Sequence, residues 1–256
     1  MILYFSGTGN SEYVAKRIGQ ITGDEVLNLF DRLRSNDLSE LHSETPWVVV
    51  CPTYAWQMPR IVRDWLEGAL LTGSDRIAFV LTCGGSIAGA GAYAEKLARE
   101  KGMSCLGAAA VKMPENYIAM FNTPDREEAL RIVDEAEAVI DQIGKTLRSG
   151  GMLDDAGGEK LQSALLNRAF YRFAIRDGKF TTNGKCTSCG HCTRMCPVEN
   201  IALEDGIPVW SGRCIHCMAC INLCPFQAIE YGTGTEKMER YRCQNSLYHS
   251  AGERKA

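Results

Sequence analysis

The 256-residue chain sets 28 Lys and Arg against 31 Asp and Glu, for a formal net charge of -3, and is 45% hydrophobic. That is enough chain for one large domain or two modest ones, and the charge lacks the basic footprint of a nucleic-acid binder. Its 12 cysteines point to metal ligation in a reducing compartment rather than to a disulfide framework.

No apolar run is long enough to span a bilayer, and Met1 leads into ILYF without a charged leader, so a cytoplasmic protein with no membrane span is expected. ILYFS reads as a buried strand and SEYVAKRIGQI as the helix after it. The alternation recurs as WVVVCPTY then PRIVRDWLEGAL, RIAFVLTC then AGAYAEKLARE, and SCLGAAAV then a helix of roughly Asp125 to Arg148. Such alternation predicts an α/β unit, a doubly wound parallel sheet with helices on both faces. Between Leu29 and Trp47 no clear helix pattern is found, so the second strand-helix unit is expected to be irregular. For the last helix, Thr123 is the expected N-cap, Pro124 the first helical residue, and Gly150 and Gly151 the stop. Gly157 and Gly158 then lead into an amphipathic bridging helix, Leu161 to Asp177, flanked by a basic row of Lys160, Arg168, Arg172 and Arg176.

Three loops of the first half carry candidate chemistry. SGTGNS, comprising Ser6, Gly7, Thr8, Gly9, Asn10 and Ser11, lies between a strand and a helix, where backbone N–H groups and the helix N-terminus favour a phosphate. It lacks the Gly-Lys-Ser/Thr ending of a nucleoside triphosphate loop and the third glycine of a dinucleotide fingerprint. Pro52, Thr53, Tyr54, Ala55 and Trp56 follow the second long strand, and the two aromatic rings offer flat faces. Thr82, Cys83, Gly84 and Gly85 follow the third, where the glycines allow close backbone approach. A decoy, Gly89-Ala-Gly91-Ala-Tyr-Ala94, matches a dinucleotide pattern but begins well past its strand, and small-residue packing explains it better. Tyr117, in the MPENYIAMFNTP stretch, is placed to sit over a bound ring or at a domain interface.

Eight of the cysteines fall between Cys186 and Cys224 in two runs, CTSCGHCTRMCP and CIHCMACINLCP. Each has the spacing C-x2-C-x2-C-x3-C-P, and a 28-residue step carries Cys186, Cys189, Cys192 and Cys196 onto Cys214, Cys217, Cys220 and Cys224. This is the run of bacterial two-cluster iron–sulfur proteins, in which the fourth cysteine of each run binds the other cluster. One cluster would take Cys186, Cys189, Cys192 and Cys224, the other Cys214, Cys217, Cys220 and Cys196. Structural zinc needs neither the third cysteine at this interval nor the trailing proline. His191 and His216 occupy non-equivalent places in the runs and read as loop residues near the clusters; Cys51 and Cys105 read as small buried side chains, and Cys243 stands apart in the tail.

Ser6-x-Thr8-Gly9-x-Ser11 resembles the FMN-phosphate loop of flavodoxins, and with the cysteine runs almost the whole chain resembles the fused flavodoxin–ferredoxin family. The resemblance implies a flavodoxin-like FMN domain over residues 1–150, a linker and bridging helix over 151–178, and a small α+β ferredoxin domain with two 4Fe-4S clusters over 179–235. Residues 236–256 would be a tail. It implies electron transfer with redox partner proteins and FMN held by the three loops, with Tyr117 placed to join them; neither half shows a recognisable catalytic base. The alternative is a flavin-dependent reductase of a small molecule, with the clusters feeding electrons to FMN.

Overall fold

The computed structural model describes residues 1–154 and 167–243. Gly157, Gly158, Lys160 and the first part of the expected bridging helix, from Leu161, lie outside the described residues.

Five parallel strands form the central sheet: β1 (Ile2–Tyr4), β2 (Val26–Asn28), β4 (Trp47–Pro52), β6 (Arg76–Cys83) and β7 (Ser104–Lys112), in the order β2-β1-β4-β6-β7. That is the flavodoxin-like doubly wound order. Its helices are α1 (Asn10–Thr22), α3 (Arg60–Gly68), α4 (Ala90–Glu100) and α5 (Arg126–Arg148). Side chains alternate along each strand, so both faces are apolar. Ile2, Tyr4, Val48, Val50 and Val80 pack on one face with Val14 and Ile18 of α1 and Val133 and Ile140 of α5. Leu3, Phe5, Val49, Phe79 and Leu81 pack on the other with Trp65 and Leu66 of α3 and Leu97 of α4. Each fully buried side chain of this kind contributes about 1.5–3 kcal/mol. Cys51 is one of them, as expected, and Ala90, Gly91 and Ala94 of the dinucleotide decoy are buried at the start of α4.

The irregular second unit is present: β2 is followed by α2 (Phe30–Ser35), only six residues long, and β3 (Leu41–Ser43) leaves the main sheet to pair with β5 (Leu71–Gly73). Two expectations are corrected. The N-cap of α5 is Asp125, not Thr123: the Asp125 carboxylate accepts from the Glu128 amide, and an anionic cap suits the positive end of a helix better than a hydroxyl. Thr123 instead donates to the Glu239 carbonyl at 2.5 Å. The bridging helix does not run to Asp177: its described part ends in a π-helical turn, Phe170–Ala174, and Asp177–Lys179 forms a separate 3-10 turn.

The C-terminal part is ferredoxin-like and small: β8 (Phe180–Thr182), α6 (His191–Arg194), β9 (Ile201–Glu204), β10 (Ile207–Trp210), α7 (Ala219–Asn222) and β11 (Ile229–Tyr231). The 28-residue repeat is geometric as well as sequential. It carries α6 onto α7 and converts the β9–β10 pairing into β11–β8, Ile201↔Trp210 becoming Ile229↔Thr182. Left-handed backbone recurs at the same step: Ser188, Gly190 and Glu199 answer to His216, Met218 and Gln227. Elements of three or four residues cannot build a large core, and the centre of this unit is occupied by cysteines beside Phe180, Ile201, Ile221 and Ile229.

Residues 236–243 run back onto the sheet domain. Arg240 and Glu230 form an ion pair at 2.7 Å, both side chains 5% exposed, and Tyr241 and Cys243 are buried in the same apolar layer as Ile2 and Val14.

Candidate functional site

The loops after β1, β4, β6 and β7 meet at the carboxyl ends of the strands around a cavity of about 280 Å³. Strand order reverses between β1 and β4, the place where open α/β sheets bind ligands. All the predicted loop residues except Thr8 and Gly9 line it, and so does Tyr117.

Within SGTGNS, Gly9 has φ 102° and turns the chain into α1, a conformation that only glycine adopts readily. The polar side chains of this loop hold the loop itself. Ser6 Oγ accepts from the Gly9 amide at 3.0 Å, Thr8 Oγ1 from Asn116 Nδ2 at 2.7 Å, and Ser11 Oγ lies 2.8 Å from Thr82 Oγ1 on β6. Asn10 Nδ2 donates to the Pro114 carbonyl at 2.9 Å. The first-turn amides of Asn10, Ser11 and Glu12 have no acceptor within the helix, and they make the anion-favouring end of this cradle. Glu12, in the same turn, is paired with Lys16.

Tyr54 and Gln57 exchange backbone hydrogen bonds around Ala55 and Trp56, both at positive φ (47° and 62°), the pattern of a type I′ turn. Two non-glycine residues held left-handed cost about 1–3 kcal/mol each, strain that concentrates at binding sites. The buried Asn167 amide donates to the carbonyls of Tyr54 and Ala55 at 3.0 and 3.1 Å and braces the turn, and Trp56 stands at the mouth, 38% exposed. Opposite, Glu115 Oε1 accepts from the amides of Asn116 and Tyr117, and Oε2 lies where a side chain at Gly84 would begin. Burial, with Glu115 adding to it, pushes the Cys83 thiol up to about 11, so this sulfur is a neutral wall group.

Tyr117 and His216 close the cavity on the side of the cysteine runs. His216 Nε2 lies 3.0 Å from the Arg176 amide and 3.2 Å from its carbonyl, and Nδ1 lies 2.9 Å from the Tyr117 hydroxyl, so the ring's tautomer sets the direction of both bonds. Burial holds the His216 ring below its ordinary value, in the neutral form.

The cysteines gather in the two expected sets. One small apolar cavity is lined by Cys186, Cys189, Cys192 and Cys224, the other by Cys196, Cys214, Cys217 and Cys220. Backbone amides donate to their sulfurs: Asn200 to Cys196 at 3.2 Å, Ala228 to Cys224 at 3.3 Å, one repeat apart, and His216 to Cys214 at 3.3 Å. Burial pushes the Cys192 thiol up to about 11 and Cys214 up to about 12, so these sulfurs ionise only against a compensating positive charge, which metal ligation supplies. Convergent thiols with amide donors suit iron–sulfur clusters.

The repeat mates Cys189 and Cys217 are not in equivalent surroundings. Cys189 is exposed, whereas Cys217 packs on the sheet domain, its carbonyl oxygen 2.4 Å from where a Cβ on Gly7 would stand. Among the lining residues that sequence reasoning missed are Glu115, Asn116, Phe170, Ile215 and His216. The first two follow the end of a sheet strand, a signal that was readable; the others arrive from the second half by a docking that no local pattern encodes.

Residues 185–229 match the family described as "4Fe-4S dicluster domain". No curated protein matches the chain. Among solved structures, two-electron reduced Megasphaera elsdenii flavodoxin is similar over 54% of this chain and 97% of its own, at 19% identity and a TM-score of 0.34. The Trp repressor binding protein from Bacillus subtilis is similar over 56% of this chain and 96% of its own, at 14% identity and a TM-score of 0.31. Among the described residues no helix is long and apolar enough to cross a membrane.

Proposed function

We propose that this chain, which joins a flavodoxin-like domain to a 4Fe-4S dicluster domain, relays electrons between two 4Fe-4S clusters and an FMN. The observation that carries the reading is the backbone contact between Gly7, in the phosphate-type loop, and Cys217, in the second cysteine run. When bound, FMN exchanges one or two electrons where clusters pass one at a time. The first-turn amides of α1 hold its phosphate, Tyr54 and Trp56 offer ring faces to the isoalloxazine, and the close-approach glycines Gly84 and Gly85 border its edge. Cys186, Cys189, Cys192 and Cys224 hold one cluster, and Cys214, Cys217, Cys220 and Cys196 the other. Amide donors to the sulfurs set the potentials. Redox partner proteins would dock on the side of the exposed Cys189, while Cys217, against Gly7, would hold its cluster on the flavin side.

Anaerobic reconstitution should give one FMN and about eight irons per chain. Electrons delivered to the clusters should then bleach the flavin at a rate independent of protein concentration, because donor and acceptor share a chain. Failure to take up FMN, or a rate that climbs with concentration, would overturn the relay. A second reading, reduction of a small molecule at the flavin, is favoured by Tyr117, which lines the cavity with its hydroxyl 2.9 Å from His216 Nδ1. Rapid reoxidation of the reduced chain by a small electrophile, lost in Tyr117→Phe, would establish it.

A further inference from the structure

Asn222 lies in α7, between Cys220 and Cys224, and is buried. Two hydrogen-bonded routes leave it for the phosphate-type loop. In one, Asn222 Nδ2 donates to the Asn116 carbonyl at 3.0 Å, and Asn116 Nδ2 donates to Thr8 Oγ1 at 2.7 Å. In the other, Asn222 Oδ1 accepts from the Tyr241 amide at 3.1 Å, and the Tyr241 hydroxyl donates to Asn10 Oδ1 at 2.7 Å; one step on, the Cys243 amide donates to the Thr8 carbonyl at 2.9 Å. The strap that carries Tyr241 is anchored in the cysteine-rich unit by the buried Glu230–Arg240 pair. That unit has only three- and four-residue elements around its cysteines, so metal ligation organises it.

We propose that the FMN site is completed by the cluster domain, with Tyr241 as the positioning residue that sets Asn10, so that FMN binding and cluster retention reinforce one another. The inference rests on the functional reading above. A group that orders Asn10 and Thr8 lowers the ordering cost of FMN binding, and by linkage bound FMN favours the strapped, cluster-holding form by the same factor. Tyr241 lines neither the loop cavity nor the two cysteine cavities, and its hydroxyl reaches the site through Asn10.

The test uses the full chain, with FMN affinity measured by fluorescence quenching before and after chelator removes the clusters. Loaded protein should bind FMN about tenfold more tightly. Because chelation also removes what organises the cysteine-rich unit, Tyr241→Phe supplies the second arm. With its clusters in place it should bind FMN about 2- to 10-fold more weakly than the unaltered chain, the effect of one lost buried hydrogen bond. Reciprocally, the iron retained at a fixed chelator concentration should rise with added FMN in the unaltered chain and rise less in Tyr241→Phe. A merely structural Tyr241 would leave that FMN dependence unchanged. FMN binding of equal strength in all three forms, or iron retention indifferent to FMN, overturns the coupling alone. No FMN binding by the cluster-loaded chain overturns both the coupling and the functional reading beneath it.

Discussion

Replacing Gly7 with Ala tests whether the loop and the second cysteine run are in functional contact. The new Cβ would stand 2.4 Å from the Cys217 carbonyl oxygen and 3.5 Å from its Cβ, whereas ordinary contact begins at 3.4 Å. The nearer atom is backbone, in a run whose flanking cysteines share one cavity, so no rotamer change relieves the overlap. Loop and run must separate by about 1 Å, and overpacking of this kind costs about 1–3 kcal/mol. If the loop yields, that cost is an FMN affinity loss of about 5- to 150-fold. Fluorescence-quench titration with FMN, together with urea unfolding followed by cluster absorbance, reads both ways in which the strain can be relieved. Gly178→Ala is the control: nothing stands within 4 Å of its Cβ, and it should fall within about 0.5 kcal/mol of the parent. Gly7→Ala protein that matches the parent in both FMN affinity and urea midpoint would refute the contact.

Arg240→Met leaves the Glu230 carboxylate buried without its cation and should destabilise the chain by about 3–5 kcal/mol in urea, with much of the loss recovered when Glu230→Gln is added. Burial alone would raise Glu230, but hydrogen bonds from Thr235 and Arg240 outweigh it and hold the carboxyl below its ordinary value. The stability it contributes is therefore complete above about pH 4.5 and fades as pH falls further, so the gap between the parent and Glu230→Gln should stay constant from pH 7 to 5 and close below that. Cys224→Ser should abolish the cluster signal of the cavity shared with Cys186, Cys189 and Cys192; electron paramagnetic resonance showing loss only at the Cys214 cavity would contradict the pairing. Asp125→Ala, which removes the cap of α5, should cost about 0.5–2 kcal/mol by thermal unfolding.

The parallel sheet with helices on both faces followed from alternating apolar and helical segments, and the two cysteine sets from runs spaced as in two-cluster iron–sulfur proteins, because both signals recur along the chain. The left-handed positions of the repeat were hidden: Ser188, Glu199, His216, Met218 and Gln227 are not glycine, and only the folded chain shows why their backbones turn. The loop after β1 was found by its residue types, yet the task given to those side chains was not. Thr8, Asn10 and Ser11 use them on Asn116, Pro114 and Thr82, contacts that lie 108, 104 and 71 residues away. The reach of the tail was invisible for the opposite reason. TEKMERYRC is too charged and too short to read as buried, yet its Thr235, Tyr241 and Cys243 are buried, the last two in the core of the sheet domain.

That tail has a consequence for how the protein is made. Ribosomes add about 5–20 residues per second, and domains generally fold as they emerge. The sheet domain can close once α5 has appeared, at Arg148, but the bonds to Asn10 and Thr8 come from Tyr241 and Cys243. For roughly 5–20 s of synthesis at that rate, the nascent sheet domain carries an unbraced loop, and its second core layer lacks two buried members. Truncated translation products that stop before the strap should therefore expose an apolar seam beside α1 and be recognised as incomplete by the proteases and chaperones that bind such surfaces.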